Sequence, residues 1–305
     1  MKKSILVIIA MLFSILVVNI LHAVADTWTR KADFGGTPLA LAPSFSIGSK
    51  GYIGKGPYPD SQEFWEYDPA ANTWTQKADF GGTWRELAVC FSIGNKGYIG
   101  TGSMGASFKK DFWEYDPAAN TWTQKADFGG TARDSAVGFS IANKGYIGTG
   151  LSGDFIYQKD FWEYDPAANT WTQKADFGGT GRSYAVGFTI GNKGYIGTGL
   201  SGDLMYHKDF WEYDPAANTW AQKADFGGTA RGYAVGFSIG SKGYIGTGYD
   251  GSFYKDFWEY TGNTAEGDLD HDSDVDGSDI AMLIANPGLL DITIFAESFG
   301  RTSGQ

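Results

Sequence analysis

The chain of 305 residues contains one cysteine, Cys90, so no disulfide can form within it and stability has to come from packing. No cysteine follows the apolar run at the N-terminus, which removes lipid anchoring through that residue type. Lys and Arg number 24 against 35 Asp and Glu. The net charge of −11 argues against nucleic acid, whose phosphates need clustered cations. Much of that charge is local, since Glu266 to Asp279 carries seven acids and no base. Nine prolines against 44 glycines point to tight turns and close backbone approach rather than disorder. A 3.6-residue helical period is also missing from the main body, which leaves an all-β reading.

What is present is repetition. A block ending in a variant of KGYIGTG…DFWEYDPAANTWTQKADFGG is written five times, with its second tryptophan at Trp28, Trp74, Trp122, Trp171 and Trp220. Spacings of 46, 48, 49 and 49 residues indicate a repeat array whose unit is one small sheet. Residues identical in every copy answer the shared folding problem. Residues that differ are where a specific function is expected.

Residues 1–25 read as a signal peptide. Lys2 and Lys3 form the basic end, Ile5 to Leu21 the apolar run, and Ala23-Val24-Ala25 a small-residue cleavage site. The length of the run leaves a retained membrane anchor as the alternative. Either way the body is expected to be secreted or on the exterior of the cell envelope. Residues 26–260 hold the repeats, and 261–305 form a separate acidic module.

Each unit carries four strand signals. In the third copy they are Ala136 to Ile141 (small, innermost), Lys144 to Gly150, Asp160 to Pro166 and Thr170 to Phe177, with a tight turn at Asn143-Lys144-Gly145. Asp165-Pro166 opens a turn, because Pro cannot serve a central strand. The glycine-bearing second strand after an aromatic (Tyr146, Gly148, Gly150), then Tyr164-Asp165-Pro166, then Trp171, resembles the kelch family. The copies read Gly-x-Gly where that family usually has Gly-Gly. The resemblance implies a five-bladed kelch-type β-propeller, all-β, fewer blades than the family more often shows. Thr27 to Phe34 is an outer strand with no blade before it, and the last copy stops at Tyr260 without one. The N-terminal strand is therefore expected to complete the fifth blade and close the ring.

Two loops differ between copies. The first reads TPLAL, TWREL (Thr83 to Leu87), TARDS (Thr131 to Ser135), TGRSY (Thr180 to Tyr184) and TARGY (Thr229 to Tyr233). The second runs over Lys55 to Gln62, Ser103 to Lys110, Leu151 to Lys159, Leu200 to Lys208 and Tyr249 to Lys255. Alternate connections of an up-and-down sheet emerge on one side, so both loops are expected on one face, the candidate ligand face. Its candidate residues are Trp84, Arg85, Glu86, Arg133, Asp134, Arg182, Tyr184, Arg231 and Tyr233, with Leu39 at the arginine position of copy one. Arginine with aromatic rings suits a sugar acid, a glycan or a peptide carboxylate. The competing reading is that a four-times-repeated arginine only ties its loop to the scaffold. Glu66, Glu114, Glu163, Glu212 and Glu259 recur in every third strand and read as scaffold. The repeated tryptophans read as packing, and Cys90 as a small buried thiol. Kelch-type propellers include copper radical oxidases and a sialic-acid epimerase. Copper needs imidazole, and only His22, His207 and His271 exist, so that chemistry is excluded here.

In the acidic module Asp268, Asp270, Asp272, Asp274, Asp276 and Asp279 fall at positions 1, 3, 5, 7, 9 and 12 of a twelve-residue Ca2+ loop, with a helix start at Ile280. Ser273 stands at the usual glycine and Asp279 at the usual glutamate, which resembles the dockerin variety of the loop. That resemblance implies a small α-helical calcium module for attachment to a cell-surface scaffold. Its second segment, from Asn286 to Asp291, is reduced. The sequence thus points to a monomeric, secreted, non-catalytic protein that binds a glycan or an extracellular protein. An epimerase-like enzyme on the same face and a structural envelope protein are the alternatives.

Overall fold

A computed structural model describes residues 30–36, 42–54 and 62–262. The expected signal peptide and the expected calcium loop lie outside the described residues. The chain divides into two compact units, residues 1–33 and 34–305. In the first, Arg30 donates to both carboxylate oxygens of Asp33 at 2.8 and 2.9 Å. The second is an all-β, five-bladed propeller without helices among the described residues.

Four blades are antiparallel four-stranded sheets, each strand paired with the next in sequence. From the inside outwards blade one has Ser44–Ile47, Lys50–Gly54, Phe64–Asp68 and Thr73–Gln76. Blade three, running Val137–Ile141, Lys144–Gly148, Phe161–Asp165 and Thr170–Lys174, shows the shared register: Phe139 opposite Tyr146, Tyr146 opposite Glu163, Tyr164 opposite Trp171. The fifth sheet has three described strands, Val235–Ile239, Lys242–Gly246 and Phe257–Thr261. Residues 30–34, expected to supply its fourth, form no strand.

The blades pack by aromatic rings. Tyr164 of blade three lies edge-on against Phe112 of blade two at 4.9 Å, and Trp171 covers the same ring at 5.0 Å. Phe112, Tyr164 and Phe161 are fully buried, and each such ring contributes roughly 1.5–3 kcal/mol of apolar burial. Asn120, Asn169 and Asn218, held at φ of 53–54°, explain the invariant DPAANT turn. Each accepts a backbone N–H from the preceding blade, as Ala126 N–H to Asn169 Oδ1 at 2.9 Å, and its own blade's tyrosine hydroxyl.

Glycine sets the spacing of the inner strands. A Cβ on Gly138 would meet Val89 Cγ1 at 2.0 Å, and one on Gly187 would meet Val137 Cγ1 at 2.1 Å. The valine of one blade is a knob seated over the next blade's glycine. Copy one departs from this with Pro43 and Ser44 at those two places, and copy two carries Cys90 where copies three to five have glycine. The Cys90 thiol donates to the Ser44 carbonyl at 3.1 Å, and burial pushes it up to about 11, so it is protonated at neutral pH.

Ser44 stands where the later copies have Cys90 or glycine, and among the described residues the inner strands of blades one and five are less covered than those of the other blades. Val235, Phe237 and Ile239 are 55%, 40% and 65% exposed, whereas Val186, Phe188 and Ile190 are buried. Gly51 faces open space where Gly97, Gly145, Gly194 and Gly243 each meet a phenylalanine ring.

Candidate functional site

In blades two to five the two variable loops pair directly with one another, which places them on one face as expected. Arg133 and Asp134 pair with Ser152 and Leu151, Arg182 and Ser183 with Ser201 and Leu200, and Gly232 bridges to Tyr249. On the opposite face, lysines of the invariant hairpins reach the aspartates of the DPAANT turns: Lys96 to Asp116, Lys144 to Asp165 and Lys193 to Asp214.

The four arginines are buried, between 0% and 2% exposed. All five N–H donors of Arg133 are engaged. They reach both oxygens of Asp160 at 2.6 and 2.8 Å, the Thr149 carbonyl at 2.8 Å, and the Thr131 carbonyl and hydroxyl at 3.0 and 3.1 Å. Arg182 repeats the set with Asp209, Arg231 with Asp256, and Arg85 forks onto Asp111. A phenylalanine ring lies against each guanidinium, as Phe128 does at 4.9 Å from Arg133. Burial disfavours the charged forms of Asp111 and Asp209, but the Arg85 and Arg182 forks outweigh it and hold both carboxyls below the usual range. Asp256, bonded to Arg231, is lowered to about 2. These cations tie each loop to its own blade. The carbonyls of Arg133, Arg182 and Arg231 accept from Gly102, Gly150 and Gly199 of the preceding blades at 2.7–2.8 Å, which sews neighbours together.

The remaining candidates fall into three places. Trp84 is half-buried at the junction of the first two blades, beside Pro43, Gln62 and Ile99. Glu86 and Asp134 converge on Ser103: its backbone bridges to Glu86, and its hydroxyl donates to Asp134 at 2.8 Å. Tyr184 and Tyr233 stack at 3.9 Å with 24° between their planes. Tyr233 N–H donates to the Tyr184 carbonyl, Tyr184 N–H to Ser135, and Ser135 N–H to Leu87, each at 3.1 Å, so these loops step from blade to blade. Leu87, Ser135, Tyr184 and Tyr233 all hold φ between 51° and 57°.

Tyr233 also lines a cavity of about 500 Å3 with Thr247, Gly248, Tyr249, Phe253 and Tyr254. The sequence reading placed this loop among the variable ones without singling out its aromatics. The signal was there: Tyr249 stands where copies three and four have Leu151 and Leu200, and Tyr254 where they have Gln158 and His207. Further exposed apolar side chains cap two neighbouring loops, Phe155 and Ile156 in blade three and Leu204 and Met205 in blade four. Phe155 and Leu204 hold φ of 61° and 62°, an unfavourable backbone for a large side chain in solvent.

The third-strand glutamates are occupied as the scaffold reading expects. Glu163 accepts from Tyr146 at 2.7 Å and pairs with Lys174 at 3.4 Å, and Glu66 and Glu212 repeat the arrangement. His207 is held below its ordinary range by burial and by the nearby Arg182 charge. Among the described residues no three His, Cys, Asp or Glu side chains gather as metal ligands.

The fold and this face define a β-propeller built from a repeated blade. The chain is similar to a solved structure titled "Structure of YjhT", with a TM-score of 0.61 and 17% identity over 69% of this chain and 72% of that one, a likeness of fold alone. No family model matches the chain, and no curated protein matches it.

Proposed function

We propose that the protein is a secreted, kelch-type, non-catalytic binding module that holds a glycan or an extracellular protein on its variable-loop face. One observation carries this reading. The polar groups shared by the copies are consumed by the scaffold, while Phe155, Ile156, Leu204, Met205, Tyr233 and Phe253 stand exposed on the loops that differ. Costly exposed apolar side chains on a rigid frame suit recognition of a partner. The acids that an epimerase-like reaction would draw on favour the same reading, since Asp134 is buried and bonded to the Ser103 and Ser135 hydroxyls.

The acidic C-terminal module, with Asp268, Asp270, Asp272, Asp274, Asp276 and Asp279 as ligands of one Ca2+, would serve attachment to a cell-surface scaffold. Calorimetric titration of the full chain with Ca2+ tests that part; no saturable binding removes it. The binding role is tested by screening the full chain against glycans and extracellular proteins, with Phe155→Ser/Leu204→Ser as the comparison. A hit weakened by that pair supports the face. Turnover of a bound sugar, or no hit at all, contradicts the reading.

A further inference from the structure

The residue two places after each buried arginine is Leu87, Ser135, Tyr184 or Tyr233, and all four share a left-handed backbone. That conformation therefore belongs to the scaffold, and only the last two copies place a phenol on it. The two phenols stack at 3.9 Å with 24° between their planes. The Tyr233 N–H, bonded to the Tyr184 carbonyl at 3.1 Å, fixes the backbones from which they leave. Burial first, and then the neighbouring Tyr184 hydroxyl, hold the Tyr233 phenol above its ordinary range, so the two hydroxyls lie at the same end of the stack. Other tyrosine–tyrosine contacts among the described residues, such as Tyr98 with Tyr164 at 5.8 Å, are tilted or edge-on with centroids at least 5.5 Å apart. Tyr184 is half-buried, while Tyr233 is 49% exposed and open to a reagent in solution.

We propose that Tyr184 and Tyr233 are a site of oxidative cross-linking, joined by a carbon–carbon bond between the ring positions ortho to their hydroxyls. The proposal goes beyond the binding role and does not depend on it. The co-reactant is hydrogen peroxide, used by a one-electron oxidant of the peroxidase class. Each phenol gives up one electron and its hydroxyl proton. The two phenoxyl radicals couple through their ortho carbons, and each ortho hydrogen then moves to oxygen as the phenol re-forms. The two electrons and two protons released reduce the peroxide to two waters, and the chain becomes lighter by two hydrogen atoms. Two rings held in a stack on a bonded backbone are already placed for this step, which separated phenols would reach only by collision. The consequence is a covalent joint between blades four and five in a chain whose single cysteine allows no internal disulfide. Such a joint restricts the unfolded chain as a disulfide does.

The test treats the full chain, dilute and folded, with hydrogen peroxide and a haem peroxidase. Dityrosine fluorescence, thermal melting and mass spectrometry of the tryptic peptides are then read. Trypsin places the two residues in peptides with no other tyrosine, Ser183 to Lys193 and Gly232 to Lys242. The expected result is a monomer in which these two peptides are joined, two hydrogens lighter than their sum, with melting raised by several degrees. Tyr184→Phe and Tyr233→Phe keep a ring in the stack but lack the hydroxyl, and each is expected to lose both the joined peptide and the rise in melting. Tyr206→Phe alters a ring that meets Tyr249 edge-on at 6.4 Å, and it is expected to retain both. Coupling spread over other tyrosines, coupling only between chains, or no coupled product overturns the site.

Discussion

Arg133 and Asp160, 27 residues apart in sequence, meet as a two-pronged pair at 2.6 and 2.8 Å, with the guanidinium fully buried and the carboxylate 20% exposed. The same pair recurs in three other blades. It fixes the variable loop to the third strand, so the loop's remaining residues are presented on a rigid base.

Lysine cannot reproduce the fork. Arg133→Lys keeps the charge but abandons several of the five hydrogen bonds, leaving buried acceptors unmatched. Breaking such a buried pair costs about 3 kcal/mol. Urea unfolding of the variant beside the parent measures it, and a midpoint within error of the parent would contradict the assignment of these arginines to the scaffold.

The forks also set the acid limit. Asp256 lies at about 2 in the folded chain against 3.8 for the free side chain, and Asp111 and Asp209 are shifted in the same direction. A carboxyl lowered on folding stabilises the fold above its unfolded value, and that contribution is lost as pH falls through its folded value. Melting temperature should therefore hold steady down to about pH 4 and drop between there and about pH 2. Asp256→Asn should start lower at pH 7 and fall less steeply over that window. Parallel curves for the two proteins would contradict the assignment.

Much of this was legible in the sequence because five copies repeat one answer. The strands, the turns and the pairing of the variable loops on one face follow from alternation and from Asn-Lys-Gly and Asp-Pro signals. The arginines were harder. Their repetition suited scaffold and ligand site alike, and their aspartate partners lie 25 to 27 residues away, beyond any local pattern. The exposure of Val235, Phe237 and Ile239 was not legible, because it depends on how the first and fifth blades meet, which no local pattern carries. The blade-five cavity lay in residues seen to vary, but its walls come from two loops that only the fold brings together.

The valine-over-glycine contact gives a paired test. Gly138→Ala places a methyl group 2.0 Å from Val89 Cγ1, an overpacking expected to cost about 1–3 kcal/mol. Gly51→Ala meets nothing within 4 Å and should be near neutral. Equal losses in thermal or chemical unfolding would contradict the account of how the blades are spaced.

Thr149 and Thr198 occupy the corner after the second strand with φ of 61°, and each hydroxyl is buried without a hydrogen-bond partner. A β-branched residue is strained in that conformation, and an unmatched buried hydroxyl adds to the cost. Thr149→Gly should raise stability by about 1 kcal/mol. A clear loss in differential scanning calorimetry would show that the threonine methyl packs for more than the strain costs.

The central claim is that shared residues hold the propeller together and differing residues bind. It is tested most directly by measuring melting and ligand binding on the same two proteins, Arg133→Lys and Tyr184→Ala/Tyr233→Ala. The account predicts that the lysine variant melts several degrees lower yet binds as the parent does while folded. It predicts that the double alanine variant melts within about 2 °C of the parent and loses the ligand. Retained binding in the double variant, or binding lost from folded Arg133→Lys, would contradict it.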